Sequence, residues 1–486
     1  MHNKKFLIQS TEYDKFLKAE ELEYLTKTIL NANSITNIDK TRLTADMKDV
    51  VDFAKKIKSL HESRKGQILL PDVKKSAPSI DFDRILKAIL NPRDSEFENL
   101  EKRVVSVDLR MFSDKKKNLE NLLKATPPRT VANYLISIYI LTIASQTEPK
   151  YNCEKSVTEI LPQASLLVLV RRYFDQENII LAANMVEELK KSYAEIFQKS
   201  KFLSPGTKEE LIKKVGKMTF LAAYPDNGWE EEVEKIHRKL TISLKDTFLE
   251  TMTKINGWKI QNAIDRILSD SKFDGDRDMM IVNAFYNPTI NHLAITLPFI
   301  DDPHFDSTFP KYAQLATTGR VLAHEIGHGF DSRGILYNGD GDLRDLDDRD
   351  MEAYLNRTEC LIDQYDEYDD PDYGKNLDGT KTIREMIADQ LGAEAAWMTF
   401  KKLNLTEELE IFGFEGLDID KMFFHIATLD HCMGPDTESL KRKLKRKHPT
   451  QSFRVNGVFS NMKQFAETFE CKVGTPMNPV KKCEIF

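Results

Sequence analysis

The sequence predicts a mainly α-helical fold with a small β component, arranged in two lobes. Apolar residues recur at i, i+3/i+4 and i+7 in stretches such as ELEYLTKTIL (21–30) and DVVDFAKKIKSL (49–60). The best strand candidate, DMMIVNAFYNPTINHLAITLPF (278–299), is dense in β-branched and aromatic residues and is punctuated by Asn-Pro. With 486 residues and 41% hydrophobic content, the chain can bury a sizeable core, enough for two lobes. The division is expected at 255, with a helical lobe over 1–255 and a second lobe over 256–486.

The elements follow in chain order. Residues 1–130 read as amphipathic helices broken near Pro71, Pro78 and Pro92. KATPPRT (124–130) closes that unit, because paired prolines cannot continue a helix. VANYLISIYILTIAS (131–145) is the most apolar stretch, yet shorter than the roughly 20 residues that span a bilayer. It reads as a buried core helix. Helical runs continue to about residue 215, and Thr207 is the expected cap of the helix in SPGTKEELIKKVGKM (204–218). The strand candidate divides into two short strands with a turn at 287–291, and an exposed strand edge there can pair with an extended peptide. The acidic stretch 363–380 reads as a solvated loop whose spacing does not match a calcium-binding EF-hand. TIREMIADQLGAEAAW (382–397) is strongly helical. KRKLKRK (441–447) reads as a solvated basic loop.

Charge and cysteine usage narrow the function. A net charge of −7 argues against a general nucleic-acid binder, which would be basic. Neither a secretory signal nor a membrane-spanning segment is visible. The five cysteines show no zinc-finger spacing. Their odd number fits either a reduced intracellular protein or an oxidised one whose partners are missing.

The most informative stretch is VLAHEIGHGFDSRG (321–334). On a helix, His324 and His328 lie one turn apart on one face and can hold a single ion. Glu325 projects about 100° round the axis, where it can reach a water at that ion. Catalytic zinc sites use three protein ligands and keep one place open. With ten histidines in the chain, this pattern seldom arises by chance. Downstream, Glu385 and Asp389 are four residues apart on one helical face. Glu385 is a candidate third ligand of one Zn2+ ion. Asp389 and Asp331 can each fix the tautomer of a ligand histidine.

Taken together, these segments resemble a known family. NAFYNP (283–288), HEIGHGFD (324–331), EMIAD (385–389) and the tail FRVNGVFSN…FAETFECKVGTPMNP…KKCEIF (453–486) look like the neprilysin / endothelin-converting-enzyme family of zinc metallopeptidases. PPRTVANYL near 130 and AAYPD (222–226) also match it. The resemblance is strong from about residue 125 and weaker before. It implies a two-lobed, gluzincin-type metallopeptidase fold whose helical lobe encloses the substrate cavity, and a metalloendopeptidase activity on short peptides.

Residue by residue, the resemblance implies His324, His328 and Glu385 as zinc ligands and Glu325 as general base. It implies Asp331 and Asp389 as partners of the two histidines, with Asp389 counted among the catalytic residues. Asn283 and Ala284 would hold the substrate backbone. His448 would stabilise the transition state, and Arg454 would bind a substrate carbonyl. A disulfide between Cys360 and Cys483 is implied, with Cys153, Cys432 and Cys471 pairing to an N-terminal part that the chain is expected to lack. An extracellular or membrane-associated location is implied too. Arg320, Asp430 and His431 depart from the family pattern, standing where apolar or aromatic residues are usual. A catalytically silent zinc- or peptide-binding relative of the same fold is the alternative.

Overall fold

In a computed structural model of the chain, residues 18–60, 65–90, 98, 104–108, 111–112, 114, 116–147, 153–224, 229–269, 280–406, 408, 412–434 and 437–486 are described. They fall into two compact units, one of residues 1–156 and 234–277, the other of 157–233 and 278–486. Residues 157–233, which precede the break expected at 255, fold with the second unit.

In the first unit, helices α1 (Ala19–Ala32), α2 (Lys40–Leu60) and α3 (Pro128–Thr147) surround a small core of Leu22, Leu43, Met47, Val50, Phe53 and Tyr134. The α2 residues recur every three or four positions and so form one stripe. Arg129, in the first turn of α3, grips Asp46 of α2 with Nε and Nη2 at 3.0 and 2.6 Å. The expectation of a fully buried helix over 131–145 needs correction. Tyr134 and Ser137 are buried, but Leu135, Ile136 and Tyr139 are exposed, because α3 meets neighbours on one side. An antiparallel pair, β1 (Lys65–Leu69) with β2 (Val104–Asp108), was not expected from the sequence.

The second unit has a three-stranded sheet in the order β3-β5-β4, where β3 is Thr219–Ala222, β4 Ala284–Asn287 and β5 His292–Ile295. β4 and β5 are antiparallel around the expected turn, and Asn291 closes it at φ 47°. β4 is an edge strand. Around the sheet lie α4 (Gln176–Lys199), α5 (Pro205–Lys217), α6 (Arg320–Gly327), α7 (Asp348–Asp366), α8 (Gly379–Phe400) and α9 (Gln451–Asn461). Ser204, not Thr207, caps α5: its side chain accepts from the Thr207 N–H, with Pro205 in the first turn. α4 buries Ala182, Val186, Leu189, Tyr193, Ile196 and Phe197. α8 is buried on nearly every side, as a helix threading a core must be.

Cys360 of α7 is bonded to Cys483, which ties the tail to the core. There Phe486 packs against Phe197 and Tyr354. Cys432 and Cys471 carry free thiols, and the side chain of Cys153 lies outside the described residues. The acidic stretch starts as the last turn of α7 and is irregular only from 367 to 378. KRKLKRK is not simply a solvated loop. Lys443 is buried and donates to the carbonyls of His448 and Pro449 at 3.3 and 3.0 Å.

Candidate metal centre

Two glycines set the distance between α6 and α8. A Cβ on Gly392 would lie 2.7 Å from the His324 backbone nitrogen, and one on Gly327 3.0 Å from Ala388 Cα. Neither fits, so the helices touch backbone to backbone. Tyr193 of α4 donates to the Ala323 carbonyl at 2.7 Å and helps hold α6 in place. Glu385, Asp389 and Gly392 share one face of α8 (i, i+4, i+7). The close approach therefore sets both carboxylates against the histidines.

Glu385 Oε2 is 3.4 Å from His324 Nε2, 3.4 Å from His328 Nε2 and 3.1 Å from His448 Nε2. It is buried, and no donor is aligned on it. The outer nitrogens are held by carboxylates. His328 Nδ1 lies 2.8 Å from Asp331 Oδ2, and His324 Nδ1 lies 2.7 Å from Asp389 Oδ1, the second contact close but off the N–H axis. Asp331 also accepts from Arg384 Nε at 3.0 Å and from the N–H groups of Arg333 and Gly334. Asp389 accepts from Arg454 Nε and Nη2. The residues fit a zinc ion. Two imidazole nitrogens and a carboxylate oxygen without a donor converge, and a carboxylate backs each imidazole.

Glu325 is half-buried beside this set. One of its carboxylate oxygens lies within 4.8 Å of a nitrogen from each histidine, and Oε2 accepts from the Tyr286 N–H of edge strand β4 at 2.9 Å. Burial raises its pKa above the usual glutamate value, partly offset by the two histidines. Glu385 behaves oppositely. Burial disfavours its charge, but the close imidazoles of His324 and His328 hold its pKa far below the usual range. Asp389 is likewise held down against burial, by Arg454 and His324. For His328, burial opposes the charge, yet the hydrogen bond to Asp331 and the nearby Glu385 carboxylate lift its pKa to about 10.

The remaining expected residues also gather here. Ala284 begins the edge strand and Asn283 immediately precedes it, its Oδ1 accepting from the Ala284 N–H at 2.9 Å. His448 is more than half exposed, with its ring turned to Glu385. Arg454 is committed to Asp389. Arg446, two residues before His448, pairs with Glu438 at 2.9 Å. Sequence reasoning missed Arg384, though its place beside Glu385 is a signal. It also missed Lys214 of α5, whose Nζ donates to the carbonyls of Gly329, Gly334 and Tyr337 and so holds the segment after His328. Nothing in the sequence marks that lysine. Among the described residues, no helix is long and apolar enough to cross a membrane.

Comparison with known proteins agrees with the fold. Two models of peptidase family M13 match residues 1–225 and 283–485. Neprilysin-11 of Caenorhabditis elegans is 25% identical over 519 residues, covering 99% of this chain and 60% of that protein. Endothelin-converting enzyme 1 of Rattus norvegicus is 24% identical over 520 residues, covering 99% of this chain and 66% of that one. The chain thus spans less than two thirds of the length of either. A zinc metalloprotease of Mycobacterium tuberculosis, solved with an inhibitor, superposes with a TM-score of 0.64 at 21% identity, covering 97% of this chain and 75% of that one. That likeness is one of fold.

Proposed function

This chain belongs to peptidase family M13, and from that premise we propose that it is a zinc-dependent endopeptidase hydrolysing short peptides. The observation that carries this is the convergence of His324 Nε2, His328 Nε2 and Glu385 Oε2, with the Glu325 carboxylate pinned beside them by the Tyr286 N–H. These three residues would hold one zinc ion. When bound, zinc would polarise a peptide carbonyl and acidify water at the site.

The protein's own groups supply the rest. Glu325, its pKa raised by burial, takes a proton from the attacking water and passes it to the leaving amine. Asp331 and Asp389 keep the outer nitrogens of His328 and His324 occupied, so that the Nε2 atoms face inward. His448 donates from Nε2 to the carbonyl oxygen as that atom gains charge. Asn283 and Ala284 hold the substrate backbone at the strand edge, as the family resemblance implies. Arg454 uses two of its five N–H groups on Asp389 and has others for a substrate carbonyl. The Cys360–Cys483 bond supports placement in an oxidising, extracellular or membrane-associated setting.

The test is an assay of the purified chain on a mixed peptide library, with and without chelator, beside Glu325→Gln. Cleavage lost both on chelation and on substitution supports the proposal. Zinc retained with no cleavage by either protein favours a silent scaffold of the same fold.

A further inference from the structure

Arg320 occupies the first turn of α6, one turn before His324 and on the same face. It is only 4% exposed. Nη2 donates to His431 Nε2, and His431 Nδ1 donates in turn to Gln451 Oε1 at 2.6 Å. Burial, then the charges of Arg320 and Arg454, push the pKa of His431 down to about 3. The ring is therefore neutral near pH 7 and accepts from Arg320 without balancing its charge.

Arg320 Nε is buried with no hydrogen-bond partner, and among the described residues no ion pair forms with this guanidinium. The carboxylate that acts on it most is Asp389, which Arg454 and His324 already claim. Asp430 acts more weakly and is exposed. A buried cation without an ion pair and a buried donor without a hydrogen bond are costly unless something completes them. Guanidinium geometry matches a carboxylate. The cluster reaches solvent through His431, half-buried, and Gln451, exposed. Along α6 the backbone of Arg320 stands about one helical turn, roughly 5.4 Å, from that of His324. Residues flanking a peptide bond held at the ligands lie about 3.8 Å apart along the chain, so a group beside that bond can reach it.

We propose that Arg320, backed by His431 and Gln451, determines the specificity of this site, selecting substrates that carry a carboxylate beside the scissile bond in place of an apolar side chain. The carboxylate is an Asp or Glu side chain or the substrate's own C-terminus. This rests on the peptidase reading above.

The test uses the full zinc-loaded chain and matched short peptides with Glu, Gln or Leu at each position flanking the scissile bond. Each peptide is made with a free and with an amidated C-terminus. Glu should exceed Gln and Leu in kcat/KM by about tenfold or more. A Glu preference that survives amidation identifies the side chain as the source, whereas a gain of about tenfold for free over amidated peptides, whatever the side chain, identifies the terminus. Arg320→Met should turn the ranking toward Leu, while Arg320→Lys keeps part of the acidic preference. A wild-type enzyme that gains from neither Glu nor a free C-terminus, or a gain unchanged within about twofold in folded Arg320→Met, overturns the proposal. Folding is checked by circular dichroism. If Arg320→Met does not fold, the wild-type ranking and the Lys variant decide.

If no peptide is cut, the peptidase reading fails and calorimetric binding of the same peptides decides this one. Tighter binding of acidic peptides, weakened in the Arg320 variants, supports it. Equal affinity for Glu and Leu peptides overturns it.

Discussion

Asp389 receives Arg454 in a two-pronged pair, Nε to Oδ2 at 2.7 Å and Nη2 to Oδ1 at 2.6 Å, while its Oδ1 also touches His324 Nδ1. One carboxylate thus couples helix α9 to the histidine on α6. Replacing Arg454 by Met leaves that carboxylate buried without its cation, and we expect a loss of about 3–5 kcal/mol, read by urea unfolding. The native pKa of Asp389 lies below its unfolded value of about 3.9. As pH falls below about 4 the unfolded chain takes up the proton first, so wild-type stability drops there. In Arg454→Met the decline should begin at higher pH, because burial then dominates.

Glu325→Gln keeps the shape of the side chain and removes the base. Peptide hydrolysis should fall by roughly 10²- to 10⁴-fold with zinc content unchanged by elemental analysis. In the wild type, kcat/KM should drop on the acid side through a pKa above the ordinary glutamate value, because burial raises that of Glu325. An acid limb that persists unchanged in residual Glu325→Gln activity would assign it to another group.

Chelation should lower the melting temperature as well as activity, because an ion that binds only the folded chain stabilises it by about 2.7 kcal/mol at a hundredfold excess over Kd. Glu385→Ala should bind zinc more weakly and show a smaller shift on chelation. If Glu385→Ala holds zinc as tightly as wild type, Glu325, the other carboxylate near both histidines, is the third ligand instead.

Gly392→Ala places a methyl group 2.7 Å from the His324 backbone. The expected cost is about 1–3 kcal/mol. Zinc affinity should fall with it, since α8 must move away from α6 and takes Glu385 along. Ala at Gly206, where a Cβ meets nothing within 4 Å, serves as the control and should leave zinc affinity unchanged.

The candidate centre is more legible in the sequence than the packing around it. His324, Glu325 and His328 are legible because helical periodicity alone sets their relation. Glu385 and Asp389 are legible as a pair on one face, but only the tail and the resemblance joined them to the first helix. The Ser204 cap was missed because a serine before a proline gives the same local signal as a threonine three residues on. The one-sided burial of α3 was missed because apolar residues mark what can be buried, not how many neighbours arrive.

By itself, then, the sequence determined the residue types of the site, the helices that carry them and the sheet edge beside them. Each of these follows from spacings within a single element. The tertiary structure decided that Gly392 brings α8 onto His324, that Arg454 is committed to Asp389, that Lys443 builds the turn of His448, and that Arg320 is buried without an ion pair of its own. The first, second and fourth depend on contacts between segments far apart in the chain, which packing sets and local periodicity does not encode; the third is a local turn whose donor no periodicity marks.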